Sequence, residues 1–66
     1  MKATVNGELR ELPDGVTIGL LLELLGTART GIAVARNHRV VRRHDYDSDR
    51  IGEGDRIEII KAVAGG

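Results

Sequence analysis

The sequence contains no cysteine, a single aromatic residue, Tyr46, and a single proline, Pro13. Without cysteine, the chain has no disulfide, no thiolate ligand for zinc and no thiol nucleophile. One aromatic side chain is too few for a surface on which successive bases stack. Ten basic and ten acidic residues give a net charge of zero, which is not typical of a domain that holds nucleic-acid phosphates. We therefore expect no nucleic-acid partner.

Long apolar segments are absent as well. The leucine run Leu20-Leu21-Leu22 is far shorter than the roughly 20 residues that span a bilayer. The start of the chain at Met1 shows no charged stretch followed by an apolar run, which a signal peptide would have. We therefore expect a cytoplasmic location and no membrane partner. The 66 residues are predicted to form one domain of modest stability, since so short a chain buries a small share of its surface.

The first part of the chain has the pattern of a β-hairpin. Ala3 and Val5 alternate with polar residues, as in a strand with one buried face. Asn6-Gly7 follows, and this pair favours a tight hairpin turn because both positions must tolerate positive φ. Residues 8–12 then form the return strand, and Pro13-Asp14-Gly15 forms the next turn.

A helix is predicted over residues 18–25. Thr17 can cap its start by accepting a hydrogen bond from an early backbone N–H, and Gly26 can end it in the left-handed conformation. The apolar residues at spacing i, i+3, i+4 and i+7 are Ile18, Leu21, Leu22 and Leu25. This spacing places an apolar stripe on one face of the helix.

The second half of the chain reads as three strands. Residues 32–35 and 39–42 are short strands around a turn, residues 44–50 are a loop or a single helical turn, and residues 56–61 are apolar enough for a central strand. The predicted fold is therefore α+β, a mixed four- to five-stranded sheet packed on one α-helix.

The last residues, Gly65-Gly66, are the unusual feature of the sequence. Residues 62–66 carry no charge and no large side chain, and we predict a flexible tail that extends roughly 17 Å. An α-carboxylate is a poor electrophile, but adenylation by ATP would give it AMP as a leaving group. A sulfur nucleophile could then displace AMP and leave a thiocarboxylate. Composition alone gives equal weight to this carrier tail and to a frayed terminus that has no function.

The other candidate motifs argue against a catalytic or metal site. His38 and His44 are six residues apart and lack further ligands, so we expect no metal. An acidic segment begins at Asp45, but arginines stand where a calcium loop needs glycine and glutamate. Gly52-Glu53-Gly54 lacks the lysine and third glycine of nucleotide-binding loops. No nucleophile–base pair is available either, so we expect no enzyme and no bound cofactor.

Charges of one sign are grouped in the second half of the chain. A basic group comprises Arg36, Arg39, Arg42 and Arg43, and an acidic group comprises Asp45, Asp47, Asp49, Glu53, Asp55 and Glu58. The favoured interpretation is two solvated faces or ion pairing across a turn, and docking to a protein partner is the alternative.

Taken together, these residues resemble the bacterial sulfur carrier proteins of thiamine biosynthesis, which are ubiquitin-like β-grasp proteins. Four segments carry the resemblance: Gly15-Val16-Thr17 before the helix, residues 32–37 with Val40-Val41, residues 54–59, and Val63-Ala64-Gly65-Gly66.

The resemblance implies a specific chemistry at Gly66. A ubiquitin-activating-enzyme-like adenylyltransferase would adenylate this residue with ATP that the partner binds. A sulfur donor such as a cysteine desulfurase system would then supply the sulfur of the thiocarboxylate. Thiazole synthase would accept that sulfur. The residues Val63, Ala64 and Gly65 would act as the tail that carries Gly66 into each partner.

Two alternatives remain open at the level of sequence. Related β-grasp carriers supply sulfur to molybdopterin or to tRNA thiolation and share the Gly-Gly end. Other small β-grasp domains, within aminoacyl-tRNA synthetases and GTPases, bind RNA or regulate without covalent chemistry. Those domains continue into a larger protein, whereas we expect this chain to end at Gly66.

Two apolar residues are candidates for a docking surface. Ile60 and Leu9 are expected on the outer face of the sheet, away from the helix. Apolar side chains left exposed there would suit contact with a partner protein.

Overall fold

The computed structural model describes residues 1–61. Its elements are β1 (Lys2–Val5), β2 (Glu8–Glu11), α1 (Ile18–Leu25), β3 (Ile32–Arg36), β4 (Arg39–Val41), a 3-10 turn (Arg43–Asp45) and β5 (Arg56–Lys61). The predicted flexible tail, residues 62–66, lies outside the described residues and stays a prediction.

The strands form one mixed sheet in the order β2-β1-β5-β3-β4. β1 and β5 run parallel, while the other neighbours are antiparallel. The predicted α+β architecture and the central position of the last strand are therefore confirmed. Within residues 1–61, no helix is both long and apolar enough to cross a membrane.

Two tight turns with positive φ connect the outer strands. Asn6 and Gly7 have φ values of 51° and 80° between β1 and β2. Asn37 and His38 have φ values of 53° and 68° between β3 and β4. Left-handed backbone is accessible to glycine and is adopted more often by asparagine and histidine than by most other residues, so both hairpins form where the sequence predicts them.

The helix begins and ends at the predicted residues. The Thr17 hydroxyl oxygen accepts a hydrogen bond from the Leu20 N–H at 3.1 Å, and Gly26 ends the helix with a φ of 69°. A further N–H, that of Gly19, donates to the Tyr46 carbonyl oxygen at 2.8 Å. The loop that contains Tyr46 therefore satisfies part of the helix N-terminus.

The core lies between the helix and one face of the sheet. Its buried residues are Ala3, Val5, Leu12, Val16, Ile18, Leu21, Leu22, Val34, Val41, Tyr46, Ile51 and Ile57. The predicted helix stripe is buried through Ile18, Leu21 and Leu22. The segment 44–50, predicted as a polar loop or single turn, does begin with a 3-10 turn, but Tyr46 within it is only 2% exposed.

Candidate docking face and C-terminal carrier segment

The sheet has one covered and one open face. Side chains alternate between the two faces of a strand. Because Ala3, Val5 and Ile57 point toward the helix, their neighbours Thr4, Arg56 and Glu58 point away from it. This outer face is therefore the surface that β5 presents beside the start of the segment 62–66.

Both predicted docking residues lie exposed on the outer face. Ile60 is 64% exposed and Leu9 is 63% exposed. Leu9 pairs with Thr4 on β1, and Thr4 pairs with Arg56, four residues before Ile60. The two side chains are thus separated by two strand spacings, about 10 Å, and by about 13 Å along the strands. The structure does not bring Ile60 and Leu9 together, and their role in docking stays a prediction.

The apolar neighbours of Ile60 come from β3 and β4 instead. Ala33 pairs directly with Ile60, and Ala35 pairs with Val40 on the edge strand. Val40 is 78% exposed, more than any other large apolar side chain in residues 1–61. We call Ile60, Ala33, Ala35 and Val40 the outer apolar patch. Val40 was not among the predicted docking residues, although strand alternation within Val40-Val41 predicts that one of the two faces outward.

A polar depression separates the outer apolar patch from Leu9. It has a volume of about 470 Å³ and is lined by Thr4, Asn6, Gly7, Arg56 and Glu58. His38 lies 3.8 Å from the Glu58 carboxylate at the margin of this face. The outer face therefore offers an apolar area bordered by charged and polar groups, which is how protein interfaces are commonly built.

The charged residues of the second half are partly paired with each other. Arg36 donates to Asp49 at 3.0 and 3.3 Å and to Asp55 at 3.2 Å. The hydrogen bond to Asp49 is the main reason that the pKa of Arg36 is raised. Of the two favoured interpretations, ion pairing is what the structure shows for these three residues.

Asn37 and Asp55 fix the start of β5. The Asn37 amide nitrogen donates to Asp55 at 3.0 Å, while its oxygen accepts from the Arg56 N–H at 2.9 Å. The Gly52 N–H also donates to Asp55, at 2.7 Å. Burial by itself raises the pKa of Asp55, but the hydrogen bonds from Asn37, Gly52 and Arg36 outweigh it, and the pKa is lowered. We call Arg36, Asn37, Asp49 and Asp55 the Arg36 cluster.

Asn6 holds the other end of β5. Its amide nitrogen donates to the Ile59 carbonyl oxygen at 3.2 Å, and its amide oxygen accepts from the Ile59 N–H at 2.8 Å. β5 ends two residues later, at Lys61. The strand that leads into the segment 62–66 is therefore fixed at its start by Asn37 and near its end by Asn6.

The predicted carrier residue, Gly66, and the tail residues Val63, Ala64 and Gly65 lie outside the described residues. Their roles stay predictions. Among residues 1–61, no three His, Asp or Glu side chains are grouped so that they could hold a metal ion.

The architecture defines the class of protein. A five-stranded mixed sheet, with an N-terminal hairpin, one helix across a single face and the last strand at its centre, is the ubiquitin-like β-grasp fold. The crystal structure of the thiamine biosynthesis protein ThiS from Geobacter metallireducens superimposes with a TM-score of 0.87 at 28% identity, and each chain is covered completely. A sequence model of the ThiS family matches residues 3–66. The chain belongs to the ThiS family.

Two relatives show how this domain occurs in other proteins. The sulfur carrier protein ThiS of Escherichia coli K12 is 30% identical over 66 residues, which is the full length of both chains. A thiazole synthase of Paramagnetospirillum magneticum is 35% identical over the same 66 residues, which make up 20% of that protein. The chain thus spans about a fifth of the thiazole synthase that it matches. The family and fold predicted from the resemblance are confirmed.

Proposed function

We propose that this chain is a sulfur carrier for thiamine biosynthesis and that the carboxylate of Gly66 carries the sulfur. The observation that carries the proposal is the ThiS family match, which extends to residue 66. The full-length correspondence with a relative named as a sulfur carrier supports it. The sequence contains no cysteine, so the sulfur has no thiol on which to be held.

The chemistry at Gly66 proceeds in two steps. A carboxylate oxygen attacks the α-phosphorus of ATP and releases pyrophosphate, which leaves an acyl adenylate. A sulfide equivalent then attacks the carbonyl carbon, and AMP departs with the C–O bond electrons. The product is a thiocarboxylate at Gly66. The chain contributes the carboxylate alone and acts as a co-substrate rather than as an enzyme.

The partners follow from this chemistry. A ubiquitin-activating-enzyme-like adenylyltransferase binds the ATP, so the carrier itself needs no bound cofactor. A cysteine desulfurase system supplies the sulfur as a persulfide, a thiol that is oxidised to a disulfide reduces it to the sulfide level, and thiazole synthase accepts it. The relative from Paramagnetospirillum supports the last assignment, because a carrier domain within a thiazole synthase would have a high effective concentration at its acceptor.

The decisive experiment is intact-mass spectrometry. The purified chain, incubated with the adenylyltransferase, ATP and a sulfur source, gains the mass difference between one sulfur and one oxygen atom, and fragmentation places this gain at Gly66. Reactions without ATP, and a variant that lacks Gly65 and Gly66, gain nothing. An unchanged mass of the complete chain contradicts the proposal. Transfer of the sulfur to thiazole synthase, rather than to a molybdopterin precursor or tRNA, identifies the pathway.

The outer apolar patch is the proposed docking surface, and Leu9, the other predicted docking residue, is used to test how far this surface extends. Ile60→Ala and Val40→Ala remove exposed side chains, so each should raise the KM of adenylation roughly 5- to 10-fold, with little change in melting temperature. Leu24→Ala is the matched control, since Leu24 is also exposed but lies on the helix. Equal effects of all three substitutions on KM would exclude the sheet face as the docking site.

Leu9→Ala asks whether the docking surface extends across the polar depression to β2. If it raises KM as Ile60→Ala does, the partner covers both sides of this depression. If KM is unchanged, docking is confined to the outer apolar patch.

A further inference from the structure

We propose that Asn6 is a positioning residue for sulfur transfer. Its side chain holds the last residues of β5 to the sheet, and it thereby sets the position from which the segment 62–66 continues toward a partner's active site. The inference rests on the proposed function, because it concerns where the carboxylate of Gly66 is delivered.

The two sides of β5 are not equally paired. On the side of β3, the register extends from Arg36 opposite Ile57 to Ile32 opposite Lys61. On the side of β1, the parallel register ends at Val5 opposite Ile57. The last part of β5 therefore has a complete partner strand on only one side.

The backbone of β1 turns away just before it could pair with Ile59. The Thr4 N–H donates to the Asp55 carbonyl oxygen at 3.0 Å, and the Asn6 N–H donates to that of Ile57 at 2.9 Å. The next backbone groups that face this side are those of Ile59. By then the chain has entered the Asn6-Gly7 turn and supplies no further backbone partner.

The side chain of Asn6 takes the place of the missing peptide group. A carboxamide has the same donor and acceptor as a peptide, and here both are used, at 3.2 Å to the Ile59 oxygen and 2.8 Å from the Ile59 nitrogen. The β1–β5 ladder is thereby extended by one step. Asparagine meets both local requirements, because it tolerates the φ of 51° and carries both hydrogen-bonding groups.

This contact matters for transfer because strand ends fray. Without it, the residues from Ile59 to Lys61 are held by β3 alone, and the point at which the segment 62–66 begins moves relative to the docking face. The carboxylate of Gly66 must meet the α-phosphorus of ATP while the outer apolar patch stays docked. A displacement of about 1 Å can reduce the rate of such a step by about 100-fold.

The test compares two substitutions in the same turn. Asn6→Gly keeps the positive φ but removes the carboxamide. Gly7→Ala keeps the carboxamide but strains the turn, since Gly7 has a φ of 80°. A Cβ at this position would meet no neighbouring atom within 4 Å, so the strain is confined to the backbone. Asn6→Asp keeps the acceptor for the Ile59 N–H and loses the donor.

Steady-state adenylation is measured at a temperature at which all variants are folded by circular dichroism. Asn6→Gly should lower kcat about 10-fold or more with KM within about 2-fold, because docking is intact and positioning is lost. Gly7→Ala should leave both constants within about 2-fold, and Asn6→Asp should lie between. Equal kcat values for Asn6→Gly and Gly7→Ala overturn the proposal.

Amide hydrogen exchange separates this proposal from the proposed function. The Ile59 amide should exchange about 10-fold faster in Asn6→Gly than in Gly7→Ala, since only the first loses its acceptor. Unchanged exchange at Ile59 overturns the positioning role and leaves the carrier function in place. Failure of the unmodified chain to be adenylated overturns the carrier function, whatever the exchange at Ile59.

Discussion

At the scale of single residues, Asp55 links stability to pH. Its folded-state pKa lies below the ordinary value of 3.8, because hydrogen bonds from Asn37, Gly52 and Arg36 outweigh the effect of burial. The ionised form therefore stabilises the fold at pH values above the unfolded-state pKa, and this stabilisation is lost as pH falls through the lowered pKa. We predict that the free energy of unfolding decreases as the solution is acidified below about pH 5.

Asp55→Asn should make this decrease less steep and should lower stability at neutral pH, where the carboxylate is ionised. Chemical denaturation at several pH values measures both effects. Glu11→Gln is the charge-matched control, because it removes an exposed carboxylate on β2, away from the Arg36 cluster. The same pH dependence in Asp55→Asn as in the unmodified protein would show that another group is responsible.

Gly19 provides the second prediction at this scale. A Cβ at this position would collide with the Asp47 carboxylate and would lie 2.6 Å from the Arg29 guanidinium, where these two exposed side chains form an ion pair. The hydrogen bond from Arg29 lowers the pKa of Asp47. Gly19→Ala should therefore displace the pair and return the pKa of Asp47 toward its ordinary value, which an NMR titration measures.

The stability of Gly19→Ala should change little. The displaced groups are the mobile ends of exposed side chains, and alanine favours the helix by about 1 kcal/mol relative to glycine. Gly26→Ala is the contrasting substitution, since its φ of 69° costs an alanine about 1 kcal/mol or more. A large destabilisation by Gly19→Ala would show that the ion pair cannot move aside.

At the scale of elements, the helix is held by its buried face rather than by its exposed leucines. Leu21 is fully buried, whereas Leu24 is 56% exposed on the same helix. Leu21→Ala should lower the free energy of unfolding by about 2–5 kcal/mol through lost burial and a cavity. Leu24→Ala should change it by less than about 1 kcal/mol. Equal losses in denaturant titrations would mean that Leu24 is covered in solution.

The elements that sequence predicts well are those with local signals. Thr17 and Gly26 act within one turn of the helix that they delimit, and the tolerance of Asn6-Gly7 for positive φ is a local property of these two residues. The burial of Tyr46 was not predictable in this way. Its neighbours Asp45 and Asp47 are polar, and only the approach of the helix N-terminus to the Tyr46 carbonyl shows why this loop packs inward.

The candidate site was also predictable only in part, because some of its contacts join residues that are far apart in the chain. Alternation within residues 56–61 is enough to place Ile60 outward. The pairing of Val40 with Ala35, and the contact of Asn6 with Ile59, depend on strand order and register between residues far apart in the chain. A single sequence contains no direct record of these long-range relations.

At the scale of the whole molecule, packing and the proposed chemistry occupy separate parts of the chain. Within residues 1–61, the buried residues lie between Ala3 and Ile57, on the helix side of the sheet or in the loops that close it. The outer apolar patch lies on the opposite face. β5 connects the two, because Ile57 is in the core, Ile60 is on the outer face, and the strand ends at Lys61, the residue before the segment 62–66 in the sequence.

This separation predicts the outcome of shortening the chain. Deletion of Gly65 and Gly66 keeps every residue that is buried within residues 1–61, so the melting temperature should stay within a few degrees of the original. Formation of the thiocarboxylate should be abolished, because the shortened chain lacks the Gly66 carboxylate that is proposed to be adenylated. Calorimetry and intact-mass spectrometry measure the two results on the same sample.

Replacement of both glycines by alanine is the length-matched control. It distinguishes a requirement for the length of the C-terminal segment from a requirement for residues as small as glycine at its end. If the shortened protein unfolds instead, the C-terminal segment contributes to the fold, and the proposed division between core and carrier segment is wrong.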